Sequence, residues 1–494
     1  MNKLLYIFIL SLLLPFNYDY KGDVLLGTVN RLSDGSIIKV PFRLFQISPA
    51  IYTDHVDLIS NFTFQVNLKP DLTLTTYTMD MRELYINLYP SFGDIRLGKQ
   101  IHSWGSLSNN NPTDNLNPIN YYYIFSKGAE RKEGIFSLVV DSYFGSNKVG
   151  FVLIPDHHEN LIPLNDSELP ININGLREGM SINQPEKPYE YGITFQKSFS
   201  NLDLTISYFS GHDRTMSPYG ANVWVNSYNK SIETAFIDTV LGFRDSDIYG
   251  IGISTFIGDL SLRSEFAYFI TDDLMDASSD VYRTLESIGQ DSYLSVGCDD
   301  IESDFNALGL PPDAWPGCEA ELLDTLGVGT KADYYQYVLE FEYSFMYDIQ
   351  LSGQLFFYDL LSISKGLTPI VEAQVDINLL PVDNFIPGVG APLSLFTITE
   401  TPYSTVSMKK ARTLFLNLKK IFYDHGVELN LRTYYDIINK GKFFEIETAY
   451  DLTEKVKINT AINFISGNKG LSESYLFNPM EDFSHFRLEC RYSF

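Results

Sequence analysis

The sequence predicts an all-β chain folded as a transmembrane antiparallel β-barrel of about 18 strands, or 16 if two weak candidates are misread. Three observations carry this. Apolar and polar residues alternate with period two in segment after segment. Short turns alternate along the chain with long polar loops. The first residues have the make-up of a secretory signal.

The signal comes first. Met1–Lys3 are a short basic start, Leu4–Leu14 are apolar apart from Ser11, and Pro15 ends the run. The run is too short for the ~20 residues of a spanning helix and has the n-region and h-region of an export signal. Residues 1–16 are therefore expected to be a signal peptide, and residues 17–494 one barrel. No later apolar stretch is long enough for a transmembrane helix.

Composition agrees and excludes other classes. The 494 residues hold 33 Tyr and 35 Phe but 3 Trp, with 36 Lys+Arg against 62 Asp+Glu and a net charge of −26. A chain this acidic is not expected to bind nucleic acid. Three Cys exclude a disulfide scaffold and a Cys-rich zinc protein.

The alternation is clearest at the C-terminus. Phe486, Leu488, Cys490, Tyr492 and Phe494 share one face, and His485, Arg487, Glu489, Arg491 and Ser493 the other. Ten such residues cross a bilayer as a tilted strand. This strand, ending on Phe494, is the expected handle for barrel-assembly machinery. Upstream, Tyr335, Tyr337, Leu339, Phe341 and Tyr343 alternate with Gln336, Val338, Glu340 and Glu342. A helical reading fails because no 3.6-residue period appears.

Spanning candidates fall at 57–67, 72–80, 82–90, 92–100, 134–143, 147–154, 189–198, 202–210, 247–256, 259–269, 333–345, 348–358, 409–420, 425–434, 442–450, 455–464 and 485–494. Short turns, expected to be periplasmic, include Lys69–Asp71, Ser91–Asp94, Gly258–Asp259 and Asp451–Glu454. Long loops, expected to be extracellular, include 101–133, 155–188, 211–245, 271–332 and 359–405. Bacterial barrels close on an even strand count. With the C-terminus periplasmic, 57–67 runs downward, and one rising strand is expected in the 17–56 segment, within Ser36–Pro49.

Lipid offers no hydrogen-bond partner, so the apolar faces meet outer-membrane lipid and the polar faces line a lumen. The expected pore-lining residues are Arg96, Lys99, Arg263, Glu265, Glu340, Glu342, Arg412, Glu428, Arg432, Glu445, Glu447, Lys455, Lys457, Arg487, Glu489 and Arg491, with Lys410 beside them. Arg96 and Lys99 have opposite parity, so one of them sits at a strand end or a bulge. These charges have two readings: a selective pore wall, or mutual pairing, Glu445 and Glu447 with Lys455 and Lys457.

One motif carries a family resemblance. Ile95–Gly105 ends a strand in Gly98-Lys99-Gln100 and runs to Trp104-Gly105, and Asp114-Asn-Leu-Asn117-Pro118 follows. This resembles porin-like outer-membrane barrels of Gram-negative bacteria, of the alginate-export type and related families. The resemblance implies passage of small hydrophilic solutes across the bacterial outer membrane, without a cofactor. Gly98 and Gly105 permit tight backbone turns. Trp104 sits at the interface or packs the loop inward. Within 101–133, the turn-rich Ser108–Pro118 stretch is either a constriction folded into the mouth or a plain outer loop.

Other sites are weaker. Cys298 and Cys318 share the long acidic loop 271–332, and a disulfide between them is expected. His157-His158-Glu159 lacks the H-E-x-x-H spacing, so no metal site is assigned. No G-x-S-x-G elbow points to an enzyme. A surface polysaccharide-binding or assembly barrel is the competing reading, and a barrel enzyme a third.

Overall fold

The computed structural model describes residues 17–68, 74–108, 110–123, 128–163, 182–228, 231–272, 320–327, 331–364, 410–471, 475 and 477–494. The expected signal peptide, the expected Cys298–Cys318 disulfide and most of the acidic loop lie outside these residues.

Eighteen strands form one closed sheet. They are β1 (Asn17–Arg31), β2 (Phe42–Tyr52), β3 (Val56–Leu68), β4 (Leu74–Leu88), β5 (Gly93–Gln100), β6 (Ile135–Phe144), β7 (Asn147–Ile154), β9 (Glu190–Ser198), β10 (Leu202–His212), β13 (Asp245–Ile257), β14 (Leu260–Asp272), β16 (Lys331–Phe345), β17 (Ile349–Ser364), β18 (Lys410–Phe422), β19 (Val427–Asp436), β20 (Lys442–Asp451), β21 (Val456–Ser466) and β22 (His485–Ser493). Four further strands, β8 (Ile182–Asn183), β11 (Ser217–Tyr228), β12 (Ser231–Gly242) and β15 (Ala320–Gly327), form a separate sheet from the long loops.

Barrel neighbours pair antiparallel, and β22 returns to β1 from Asp23 opposite Ser493 to Arg31 opposite His485. Gly22 and Phe494 exchange two backbone hydrogen bonds across this seam, at 3.1 and 3.0 Å. No barrel edge is left, which is what hydrocarbon demands of a spanning sheet. No helix among the described residues is long and apolar enough to cross a membrane, so the crossing is made by strands.

The two faces show which solvent each meets. Outward, Phe136 is 52% and Leu488 40% exposed, while inward Glu445 and His485 are 1% exposed. A soluble sandwich has the opposite arrangement, with its large apolar side chains covered. Tyrosines mark one rim: Tyr208 donates to Asp247 at 2.8 Å and Tyr335 donates to Asp359. Such amphipathic rings suit a headgroup boundary. This is a membrane-spanning barrel of the bacterial outer-membrane type.

The N-terminal third corrects the strand reading twice. Candidates 72–80 and 82–90 are one strand, β4. Its parity changes in the middle because Arg82 is an extra residue, with Asn61 opposite Glu83 and Phe62 opposite Met81. That bulge turns Asp80 and Glu83 to the same side despite their odd spacing, which in the sequence looks like a strand break. Two strands, not one, precede residue 56: β2 overlaps the expected 36–49 segment, and β1 was not anticipated. The alternation of β1 is interrupted by Gly22, where a Cβ would strike the Phe494 ring, and by an apolar inward Leu25. The two errors cancel, so the count of 18 stands. The direction of β3 does not: it rises, and its connection to β4 lies at the long-loop end.

Candidate functional site: the lumen and its inward loop

Thirteen of the sequence-assigned lumen residues lie on inward positions of the wall. Their bonding divides them into two groups.

On the wall of β14, β16 and β17 the carboxylates hold the 101–134 loop. Glu265 accepts hydrogen bonds from Ser106 N at 2.5 Å, Ser106 Oγ at 3.3 Å and Thr113 Oγ1 at 2.8 Å. Glu340 accepts from Ser108 N at 3.0 Å and Ser108 Oγ at 2.8 Å, and also from Gln354. Arg263 Nη1 lies 2.6 Å from Glu340 and 3.9 Å from Glu342. Asn110 N donates to Gln354 Oε1 at 3.3 Å. The other end of the loop reaches β2, β3 and β4: Arg82 donates to the Ala129 and Lys132 carbonyls at 2.9 Å, Arg43 to the Glu130 carbonyl at 2.8 Å, and Tyr123 to Gln65 at 2.6 Å. The loop therefore crosses the barrel interior.

The motif residues shape that crossing. Gly98 has φ 139° and Gly105 φ 84°, where a side chain is strained. A Cβ on Gly98 would strike the Leu84 carbonyl, and one on Gly105 the Glu265 carboxylate. Gln100 donates to the Ser137 carbonyl at 3.1 Å. Asn117 fastens both ends of the loop: its Nδ2 donates to the Gln100 and Glu133 carbonyls at 3.2 and 2.8 Å, and its Oδ1 accepts from His102 N at 2.6 Å. Pro118 O accepts from Glu133 N at 2.9 Å. Trp104 packs inward against the bare backbone of Gly192. Asp114 pairs with Lys132. Burial pushes the Asp114 carboxyl upward even so, and holds the His102 imidazole down to about 3. Beneath the loop, Leu116 sits in an apolar cluster with Ile135, Val139, Ile154, Phe209, Ile248 and Phe269.

On the wall of β19 to β22, separated from the first by β18, most charges pair within the sheet, and Arg491 Nη1 reaches Glu130 of the loop at 3.9 Å. Arg432 bridges Glu445 and Glu447. Arg487 Nη2 lies 3.7 and 3.6 Å from the same two carboxylates, and its Nε 3.8 Å from Glu489. Glu428 pairs with Lys419 at 3.1 Å. The expected partners of Glu445 and Glu447 are therefore corrected: Lys457 turns to Asp451 at 3.4 Å, and Lys455 is exposed in the turn before β21. Arg96 is inward and bonds Asp141 at 3.2 Å.

Three assigned residues are off the lumen. Lys455 is in a turn. Lys99 lies opposite Leu84 and Phe136 on the outward face, at the end of β5, and reaches Asp80 at 3.3 Å. Arg412 lies opposite Phe357, also outward; it pairs with Asp359 and stacks over the Phe357 ring at 5.1 Å. Lys410 shares that outward parity, 3.9 Å from Asp359. Long cationic stems at a strand end carry their charge to the membrane boundary.

Between the second wall and the loop lies a cavity of about 760 Å³. Five carboxylates line it (Asp23, Glu130, Glu428, Glu447, Glu489) and five cations (Lys39, Arg43, Lys457, Arg487, Arg491), so neither sign dominates.

Sequence reasoning missed Arg214. It lies in a loop, where period-two alternation carries no information. Its Nη2 donates to Glu190 and to the Leu116 carbonyl at 2.7 Å, its Nη1 to the His158 carbonyl at 3.0 Å, and its Nε to the Asn115 carbonyl at 3.4 Å. One side chain thus joins the 101–134 loop, the segment after β7 and the start of β9.

No family model and no curated protein matches the chain. Among solved structures, the chain is similar to OccAB1 of Acinetobacter baumannii at 7% identity and TM-score 0.45, covering 97% of this chain and 95% of that one. It is similar to OccAB3 of the same organism at 8% and 0.44, covering 97% and 99%. It is also similar to the outer membrane channel DcaP of Acinetobacter baumannii at 7% and 0.39, covering 97% of each. The functional reading rests on this chain's own side chains.

Proposed function

We propose that the chain is a porin-like channel through which small hydrophilic solutes cross the outer membrane. The observation that carries this is the cavity of about 760 Å³ inside the barrel, walled by mixed charges and narrowed by an inward loop. An eighteen-strand barrel is wide enough to hold water unless something fills it. Here the loop and its apolar cluster fill one side and leave the other polar. A wall of paired opposite charges replaces a solute's hydration without trapping it, which passage requires. The even balance of charge around the cavity favours weak ionic selectivity, and the net −26 of the whole chain does not set it. Membrane lipid is the partner of the outer face, and the Phe494 strand is the proposed contact for assembly machinery.

The test is swelling of liposomes containing the purified protein, in sugars of graded size. Swelling with small sugars that falls off as size rises supports the channel. Liposomes that behave like protein-free controls with every sugar contradict it.

A further inference from the structure

At the long-loop rim, three buried groups converge that the channel reading does not use. His157 follows β7, Glu190 begins β9 and His212 ends β10. One nitrogen of each histidine and one oxygen of Glu190 lie within 4.8 Å of one another. His157 Nδ1 is 2.9 Å and His212 Nδ1 3.5 Å from Glu190 Oε1. Both histidines are 7% exposed and Glu190 is 0%.

A second observation points to a ligand. His212 Nε2 lies 3.2 Å from Asp245 Oδ1, an acceptor, which places the ring proton on Nε2. His212 Nδ1, buried and 3.5 Å from Glu190 Oε1, has no hydrogen-bond partner. An imidazole nitrogen facing a carboxylate oxygen in a buried place calls for a cation between them, a position in which a metal ion competes with a proton. A carboxylate behind a histidine, fixing which nitrogen faces inward, is the usual support for a metal-bound imidazole.

We propose that His157, His212 and Glu190 bind a first-row divalent transition-metal ion, with zinc the ion that fits the donors most directly. Imidazole nitrogen and carboxylate oxygen suit zinc at ~2.0–2.1 Å, which puts neighbouring ligand atoms ~3.4 Å apart in a tetrahedron. The 2.9 and 3.5 Å separations are close to that spacing. Arg214 does not take the site: it holds Glu190 Oε2 and leaves Oε1 to the ion. Its Nη1, 3.2 Å from His157 Nδ1, retains the His158 carbonyl when that nitrogen binds metal. The ion would tie the segment after β7 to β9 and β10 at the mouth.

The experiment uses the tag-free full chain, stripped with chelator and folded in detergent, titrated with Zn²⁺ against a chromophoric competitor. One Zn²⁺ is expected to bind per chain. His157→Asn and His212→Asn should each weaken binding at least ~10-fold, and Asp245→Asn ~10-fold through orientation alone. His158→Asn, on an exposed neighbour, should stay within about twofold of wild type. Heat-modifiable gel mobility reports that each variant is folded. Where a variant does not fold, Co²⁺ bound to the wild type decides: a visible spectrum of low-coordinate nitrogen ligation supports the site, and the spectrum of the hydrated ion overturns it. Zn²⁺ binding no tighter than in the His157→Asn/His212→Asn double variant, or lost equally in His158→Asn, also overturns it.

Discussion

The wall of β14, β16 and β17 and the wall of β19 to β22 both turn glutamates inward, and they satisfy them by different means. Glu265 and Glu340 take N–H and O–H donors from Ser106, Ser108 and Thr113, so this wall draws a loop down onto itself. Glu445 and Glu447 take Arg432 and Arg487 from the same sheet, so these carboxylates need no loop and that wall leaves its face to the cavity. A buried carboxylate must find partners in either case. Whether the partners come from a loop or from the sheet decides which half of the barrel is filled.

Removing Ser106–Thr113 breaks this difference most severely. The loop loses its anchors on Glu265 and Glu340, and single-channel conductance is expected to rise severalfold as the filled half opens. Arg214→Ala comes next. It leaves Glu190 buried without its arginine, at a cost of about 3–5 kcal/mol, and frees Asn115 and Leu116 of the loop. A lower urea midpoint together with noisier open-channel current would report both.

A smaller effect is set by pH. His102, in the loop, is held neutral by burial, with its pKa lowered to about 3 from 6.5. The unfolded chain binds that proton more readily, so the stability this group confers is complete above about 6.5 and is lost as pH falls towards 3. His102→Gln is expected to flatten this acid arm by on the order of a few kcal/mol, read as the urea midpoint against pH. The smallest effects belong to the outward cations. Lys99→Gln and Arg412→Gln should leave the reversal potential in a salt gradient unchanged, and Lys99→Gln should cost within about 1 kcal/mol. Arg491→Gln, on the cavity wall, should move that potential towards cations.

The barrel was legible because lipid enforces alternation, and β22 obeys it along its length, while β14 and β16 depart from it where Phe269, Tyr334 and Val338 turn inward. It was hardest to read where a local feature outranks the period. Arg82 adds one residue to β4 and reverses its parity. Gly22 in β1 gives up a side chain to make room for Phe494 across the seam. The lumen list failed at strand ends: of the opposite-parity pair Arg96 and Lys99, Lys99 is the one at a strand end, and Arg412 has an outward parity that its charge conceals. Asn117 and Gly105 were singled out by motif, but what they hold was not, since the bonds of Ser106 to Glu265 and Ser108 to Glu340 span 159 and 232 residues. The cluster around Glu190 has no spacing signature, because His157 and Glu190 lie at the two ends of the long β7–β9 connection and His212 ends β10.

Planar-bilayer recording of the purified full chain, beside the chain lacking Ser106–Thr113, tests the account most directly. Discrete current steps that grow severalfold on removal of the segment are the predicted result. Silent membranes, or steps of the same size from both proteins, would contradict it.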